Sequence, residues 1–273
     1  MRLSLSNLAL PQQTGADKIA RLAEKGLRGV EVAPTRIAPW GELNDTMLTE
    51  YRRSLAGAEI SVSSLQAIFF GAEGIALLQD VESFERMAAH LRRVAAAGAA
   101  LGASVLVFGA PKQRSRSGLA EEAAFDLGIA RFRHLAEIAD AQGLTIGLEP
   151  VPAAYNGDFL CTWQEVDRMV RAVNHPGLRV HLDTGCVLLG GGDIGEAVKA
   201  TADRLCHFHI AEPKLATFVQ PVGHHAVAAN ALRDIGYSRW VAIEMLEAPS
   251  QPMAAIEQAV EFAAATYPIQ TAA

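Results

Sequence analysis

Eight short β-like runs, each followed by a longer Ala-rich segment of helical period, predict an α/β fold built from parallel βαβ units. A chain of 273 residues fits either two average domains or one complete (β/α)8 barrel, and the count of eight repeats selects the barrel. The competing open, doubly wound sheet normally carries a Gly-rich phosphate turn after an early strand, and no GxGxxG occurs here. The expectation is one (β/α)8, or TIM, barrel domain over residues 1–273, with eight parallel strands inside an outer ring of helices.

The elements follow in order. Leu-Ser-Leu-Ser alternation marks the first strand, Arg2–Leu8, and the helical segment Asp17–Lys25 ends at Gly26. Gly29–Val32 and Ile60–Gln66 are the next strands, with a helix over Thr46–Gly57 between them. The helix Ser83–Leu101 leads to the strand Ser104–Phe108, and the helix Glu121–Gln142 leads through Gly143 to the strand Leu144–Glu149. Its core, Thr145-Ile146-Gly147-Leu148, is short and largely apolar, as suits a parallel strand covered on both faces. Trp163–Val173 is helical, Leu178–Asp183 is a strand, and Gly190-Gly191-Gly192-Asp193 reads as a flexible turn before a capped helix, Ile194–Ala202. The last pairs are the strand Leu205–Ile210 with the helix Ala226–Ile235, closed by Gly236, and the strand Trp240–Met245 with the helix Ala254–Ala265. The segment around Tyr267-Pro268 reads as a fraying terminus.

Half of the residues are hydrophobic and only 6% aromatic, the balance expected where many helices pack closely on a sheet. Lys and Arg total 24 against 30 acids, a net charge of −6, so no global positive field gathers nucleic acid or an anionic membrane. Cys161, Cys186 and Cys206 are an odd count without CxxC spacing, which argues against a disulfide framework and for a reducing, cytoplasmic setting. No signal-peptide pattern is read at the start, and no apolar stretch reaches the roughly 20 residues that a membrane-spanning helix needs.

Four strings place a metal-capable side chain at the end of an apolar run: Leu148-Glu149-Pro150, His181-Leu182-Asp183-Thr184, His207-Phe208-His209 and Ile243-Glu244-Met245. In a parallel barrel the carboxyl ends of the strands share one mouth, so Glu149, Asp183, His209 and Glu244 are expected to converge. Three carboxylates held together repel one another, and a divalent cation converts that repulsion into coordination. Oxygen donors with one imidazole suit a single Mn²⁺, Mg²⁺ or Co²⁺ ion, with Zn²⁺ also feasible.

Further residues fall at the same end. Gln66 closes strand 3, and Lys112 with Arg114 follows strand 4, where a basic pair suits hydroxyls or an anionic group. Glu31, ending strand 2, is a candidate to hydrogen-bond substrate or to support a metal ligand, Asn7 follows strand 1 similarly, and Asp158, beyond strand 5, is a candidate substrate contact, an acid behind the ring or a turn former. His207 shares the face of His209, two residues away, so it is expected to point inward too, either supporting the metal ligands from behind or contacting substrate. One member of His224-His225, on the loop after strand 7, is a candidate to close over substrate, and Lys214 offers a nearby charge.

These strings, with Gly29-Val30-Glu31-Val32-Ala33-Pro34, Phe208-His209-Ile210-Ala211-Glu212-Pro213 and Gly236-Tyr237…Trp240-Val241-Ala242-Ile243-Glu244-Met245, resemble those of the xylose isomerase-like barrels. That group holds sugar phosphate isomerases and epimerases, including ketose 3-epimerases and hydroxypyruvate isomerases, and the resemblance spans essentially the whole chain. It implies that Glu149, Asp183, His209 and Glu244 hold the metal and that Glu149 and Glu244 exchange the proton of the substrate carbon. Dimers and tetramers are usual in that group, so a homo-oligomer is an expectation here, and Cys186 and Glu212 join His225 as candidate substrate contacts. Two positions depart from the pattern. Cys186 stands where many ketose epimerases carry a substrate-contacting histidine, and the arginine expected after Glu212 is absent from Pro213-Lys214-Leu215. Both count against a free-ketohexose epimerase.

The resulting expectation is a divalent-metal-dependent isomerase or epimerase of a small polyhydroxy carbonyl compound, neutral, phosphorylated or acidic. It would work by proton abstraction beside the carbonyl through a metal-stabilised enediolate. A dehydratase or lyase is the alternative, because the same abstraction can expel a β-hydroxyl. A nuclease of the endonuclease branch is disfavoured by Cys186, by the lack of histidines near the ends of strands 2 and 3, and by the negative charge. A non-catalytic sugar-binding barrel is the remaining reading.

Overall fold

A computed structural model describes residues 1–12 and 14–269. Eight parallel strands form a closed barrel in sequence order: β1 (Arg2–Ser6), β2 (Leu27–Val32), β3 (Ser61–Leu65), β4 (Val105–Phe108), β5 (Thr145–Leu148), β6 (Leu178–Asp183), β7 (Leu205–Ala211) and β8 (Trp240–Glu244). Closure comes from β8 pairing with β1, with Leu3 opposite Val241 and Leu5 opposite Ile243. The surrounding helices are α1 (Ala16–Glu24), α2 (Asp45–Ala56), α3 (Val81–Leu101), α4 (Glu121–Asp140), α5 (Trp163–Val173), α6 (Thr184–Leu189), α7 (Ile194–Ala200), α8 (His225–Asp234) and α9 (Pro252–Thr266). No described helix is long and apolar enough to cross a membrane.

Local chemistry sets these boundaries. Asp80 and Ser83 form a reciprocal capping box at the start of α3, and Thr162 and Glu165 do the same for α5; each cap contributes about 1 kcal/mol. Asp193 accepts from Glu196 N at 2.8 Å and starts α7 after Gly191, as the glycine run predicts. Gly26, Gly143 and Gly236 all take positive φ at the turns that return the chain to a strand.

The outward faces of the strands carry the main core. Leu5, Val30, Leu65, Phe108, Leu148, Leu182, Phe208 and Ile243 are all fully buried with helix residues such as Met87, Leu91, Phe132, Val166 and Val260. The barrel interior differs. It holds a small apolar cluster of Val105, Val107 and Cys206, and Gly147 keeps the space beside it open, since a Cβ would stand 3.1 Å from both the Val105 and His181 side chains. Nearer the carboxyl ends the interior is polar, with Ser4, Ser63, Ser64, Glu31, His181 and His207 all buried.

Two features differ from the sequence reading. The six-residue helix α6 follows β6 without a loop, because Asp183 caps it through Cys186 N at 2.6 Å. Tyr267 does not fray: it is 2% exposed, and its hydroxyl meets His225 Nδ1 at 2.7 Å, which fastens the end of α9 to α8.

Candidate metal centre

The barrel brings the four candidate ligands together. Glu149 follows β5, Asp183 ends β6, His209 lies on β7 directly opposite Asp183, and Glu244 ends β8 opposite Ala211. One ligand atom from each lies within 4.8 Å of all the others. Asp183 and His209 are 1% exposed and Glu149 8%, with Glu244 open to the mouth.

The polar atoms of this ring are incompletely satisfied by the protein. Asp183 Oδ1 accepts from Cys186 N, but Asp183 Oδ2 is buried without a hydrogen-bond partner among the described residues. His209 Nδ1 faces Glu244 Oε2 at 3.1 Å and Asp183 Oδ2 at 3.6 Å. An orphaned carboxylate oxygen beside a nitrogen that faces two acids is the arrangement a divalent cation satisfies, and the donor set of three carboxylates and an imidazole fits one. Gly109 completes the cradle: a Cβ there would stand 2.5 Å from Glu149 Oε2, so only glycine leaves that carboxylate its place.

The crowding of acids also governs the protonation of the ring. Burial, followed by the Asp183 and Glu244 carboxylates, pushes the Glu149 carboxyl up to about 8. Burial also raises Glu244, against the opposing pull of His209. Burial works to lower His209, but Glu31, Glu244 and Asp183 outweigh it and hold the imidazole well above its ordinary value. A cation placed among these groups inverts that balance and favours the ionised carboxylates.

A buried layer beneath the ring orients it. Glu31 is fully buried; its Oε2 accepts from Ser64 Oγ at 2.6 Å and meets His207 Nε2 at 2.9 Å. Its Oε1 lies 2.8 Å from His209 Nε2, close but out of line for a straight hydrogen bond. The contact directs the other nitrogen, Nδ1, to the ring, as a carboxylate behind a ligating histidine does. Burial works to raise Glu31, yet His209 and His207 hold its carboxyl well below the ordinary range. The Gln66 amide nitrogen donates to Glu31 Oε1 at 3.1 Å and Glu244 Oε1 at 2.7 Å while its oxygen accepts from Ser6, so it ties this layer to the ring. His181 stacks on His207 and meets His209 edge-on; burial, then those two histidines, keeps it well below its ordinary pKa and therefore neutral.

The other sequence candidates are divided between the mouth and the layers around it. Glu31 and His207 point inward as their strands require, and both, 0% exposed, take the supporting place below the ring rather than the substrate-facing one. Asn7 is buried and braces β1 to the chain after β2, accepting from Ala33 N at 2.8 Å. Glu212 and His225 meet each other at 2.6 Å, and Glu212 also accepts from the backbone of Val222 and Gly223, so the pair clamps the loop after β7. His224 is the exposed residue before α8. Asp158 is exposed and organises the loop after β4, accepting from Ser115 Oγ at 2.8 Å and Arg116 N at 3.1 Å. Arg114 is no solvent-facing anion site: it is 1% exposed and donates to the carbonyls of Glu149 at 2.7 Å and Leu160 at 3.0 Å.

Lys112 and Gln66 do reach the mouth. They line a cavity of about 380 Å³ with Glu149 and Glu244, walled by Phe69, Phe70 and Val107. Lys112 is exposed, and Cys186 is 7% exposed with its thiol directed at Glu149 Oε1, 3.7 Å away. Lys214 is exposed, and its backbone N donates to the Tyr155 hydroxyl at 2.5 Å, bridging the loops after β5 and β7. Sequence reading missed Tyr155, Gly109 and the buried role of Arg114; of these only Gly109, directly after the β4 run, carried a signal.

No curated protein matches the sequence. Solved structures do, at identities that establish the fold alone. D-psicose 3-epimerase from Clostridium cellulolyticum H10 superposes with a TM-score of 0.82 at 18% identity, covering 97% of this chain and 99% of that one. The 3-keto-D-glucoside 4-epimerase of E. coli gives 0.79 at 16% identity over 97% and 99% of the two chains. The protein assigned as the 3-DHS dehydratase of Bacillus anthracis gives 0.74 at 13% over the same shares. These neighbours are enzymes built on one barrel. The family described as xylose isomerase-like TIM barrel matches residues 19–266, nearly the whole chain, and the protein belongs to that family.

Proposed function

We propose that the protein is a divalent-metal-dependent isomerase or epimerase acting on a small polyhydroxy carbonyl compound. The observation that carries this reading is the convergence of Glu149, Asp183, His209 and Glu244, with ligand atoms within 4.8 Å of one another beside a cavity open to solvent. These four residues would hold an Mn²⁺, Mg²⁺, Co²⁺ or Zn²⁺ ion, which would supply the positive charge that acidifies a C–H bond beside a carbonyl. The chain's own residues do the rest. Glu149 and Glu244 line the cavity and are the groups that take the proton from that carbon and return it. Gln66 fixes Glu244, and the Cys186 thiol fixes one oxygen of Glu149. Phe69 and Val107 keep water from the reacting carbon, and Lys112 at the rim favours a substrate with a phosphate or carboxylate.

Incubation of candidate sugars in D₂O tests the reading. Deuterium enters beside the carbonyl with the metal-loaded protein, and Glu149→Gln and Glu244→Gln lower that exchange by roughly 100-fold or more. No exchange into any sugar that binds would sink it. The first step of β-elimination is the same abstraction, so a dehydrated product in place of an isomer would assign the chain to the lyases.

A further inference from the structure

We propose that the mouth carries an apolar subsite for a flat aromatic group, so that the substrate is a polyhydroxy carbonyl compound with an aryl substituent, such as an aryl glycoside of a keto sugar. This rests on the reading that the Glu149 and Glu244 end takes the hydroxycarbonyl. The first support is how the cavity is lined. Gln66, Glu149 and Glu244 form its ring end, while the loops after β3 and β4 supply Ala67, Phe70, Ala110 and Pro111, whose side chains offer neither donor nor acceptor. The cavity measures about 380 Å³. A hexose displaces roughly the volume of six waters, about 180 Å³ at about 30 Å³ each, so much of the space lies beyond a free sugar. A larger free sugar would lay hydroxyls against the apolar wall, where each loses water without gaining a partner.

The second support is Phe70, a phenyl ring left 70% exposed on a turn that is itself fixed. Phe70 N donates to Ala67 O at 2.9 Å, Trp40 Nε1 donates to Phe70 O at 2.9 Å, and His90 Nε2 donates to Ile68 O at 2.9 Å. Ile68 and Phe69 are each 1% exposed, with Phe69 edge-on to Phe108, so the turn buries two of its three large side chains and presents the third at the cavity. The other exposed large apolar residues, Val81, Val219, Val222, Val227 and Leu246, do not line it. Ala67 and Ala110, one in each loop, hold φ of 50° and 47°, a left-handed conformation that costs a non-glycine residue and collects at ligand sites.

An aryl group offset-stacked on Phe70 removes apolar surface of both rings from water. The polyhydroxy end is then held toward Glu149 and Glu244, and Lys112 admits an acidic substituent on the aryl group. The substrate is thus selected at its apolar end and reacts at its polar one. Cys186 and the missing arginine after Glu212, which count against a free ketohexose, agree with that division.

Calorimetric titration with phenyl β-D-glucoside and methyl β-D-glucoside in excess Mn²⁺ tests this, because the two probes differ only in the group offered to the apolar wall. The phenyl compound should bind roughly tenfold or more tightly than the methyl one, the gain from burying an aromatic ring. That ratio should fall to less than about threefold in Phe70→Ala and be kept in Phe70→Trp. Equal affinities, or a phenyl preference that survives Phe70→Ala, would overturn the proposal; deuterium exchange into free keto sugars beside that result would leave the isomerase reading standing. A phenyl preference lost in Phe70→Ala, without exchange into any keto sugar or keto glycoside, would uphold the subsite and sink the isomerase reading instead. Melting curves of Phe70→Ala should match those of the parent, as expected for a ring 70% exposed, and confirm that the variant is folded.

Discussion

Replacing Gly109 by alanine separates the ring from the fold. The added Cβ would stand 2.5 Å from Glu149 Oε2 and 3.6 Å from Val151, so Val151 meets it in ordinary contact while the carboxylate must retreat by about 0.9 Å to regain 3.4 Å. Gly109 does not occupy the left-handed region, so alanine is admissible at the backbone and stability in chelator should change by no more than about 1 kcal/mol. A ligand oxygen displaced by that much should weaken metal binding roughly 10–100-fold, the range seen when support of a ligand is lost. Calorimetric titration with Co²⁺ or Mn²⁺, beside thermal melts in EDTA, reads both quantities on one preparation. Unchanged affinity in a folded variant would refute the argument that Glu149 Oε2 is a ligand atom cradled by Gly109.

Three further outcomes follow from the same geometry. In the metal-free protein the unfolded chain ionises Glu149 near 4.5 while the folded state keeps the proton to about 8, so stability falls as pH rises through that window. His209, raised in the fold, acts in the same direction. At about 1.4 kcal/mol per unit the Glu149 contribution is at most about 5 kcal/mol; the melting-temperature gap between metal-loaded and EDTA-treated protein should widen from pH 5 to pH 8, and a constant gap would count against it. Glu31→Gln should lower metal affinity by roughly 10–100-fold although the residue is 0% exposed, and equal affinities would remove it as the support of His209. Arg114→Met strips donors from two buried carbonyls, at about 1–3 kcal/mol each, so urea unfolding should show a loss of about 2–5 kcal/mol. A variant of undiminished stability that loses only affinity for anionic substrates would restore Arg114 to the mouth.

The strands were legible because their signal is physical and local: short apolar runs bounded by glycine turns can bury both faces only in a covered parallel sheet. Glu149, Asp183, His209 and Glu244 were legible for the same reason, since a polar residue at the end of each run has one shared destination in a closed barrel. Depth along the barrel axis was not. Alternation aims both His207 and His209 inward, but nothing in the sequence says that one reaches the ring while the other sits a layer below against Glu31 and Ser64. Loop residues were harder still. Lys112 and Arg114 look alike in sequence, yet the chain between β4 and α4 turns Arg114 inside to satisfy the carbonyls of Glu149 and Leu160 and leaves Lys112 on the rim. Glu212 and His225 are 13 residues apart and find each other because the loop after β7 folds back over them. The helix α6 escaped notice because its cap, Asp183, is also the end of a strand.

The central claim, that the ring on strands β5 to β8 holds one divalent ion, is tested most directly by anomalous scattering from crystals grown with Co²⁺ or Mn²⁺. The account predicts a single strong peak within roughly 2.0–2.6 Å of donor atoms from Glu149, Asp183, His209 and Glu244. Crystals grown at saturating metal that show no peak there, or a peak held by other residues, would contradict it.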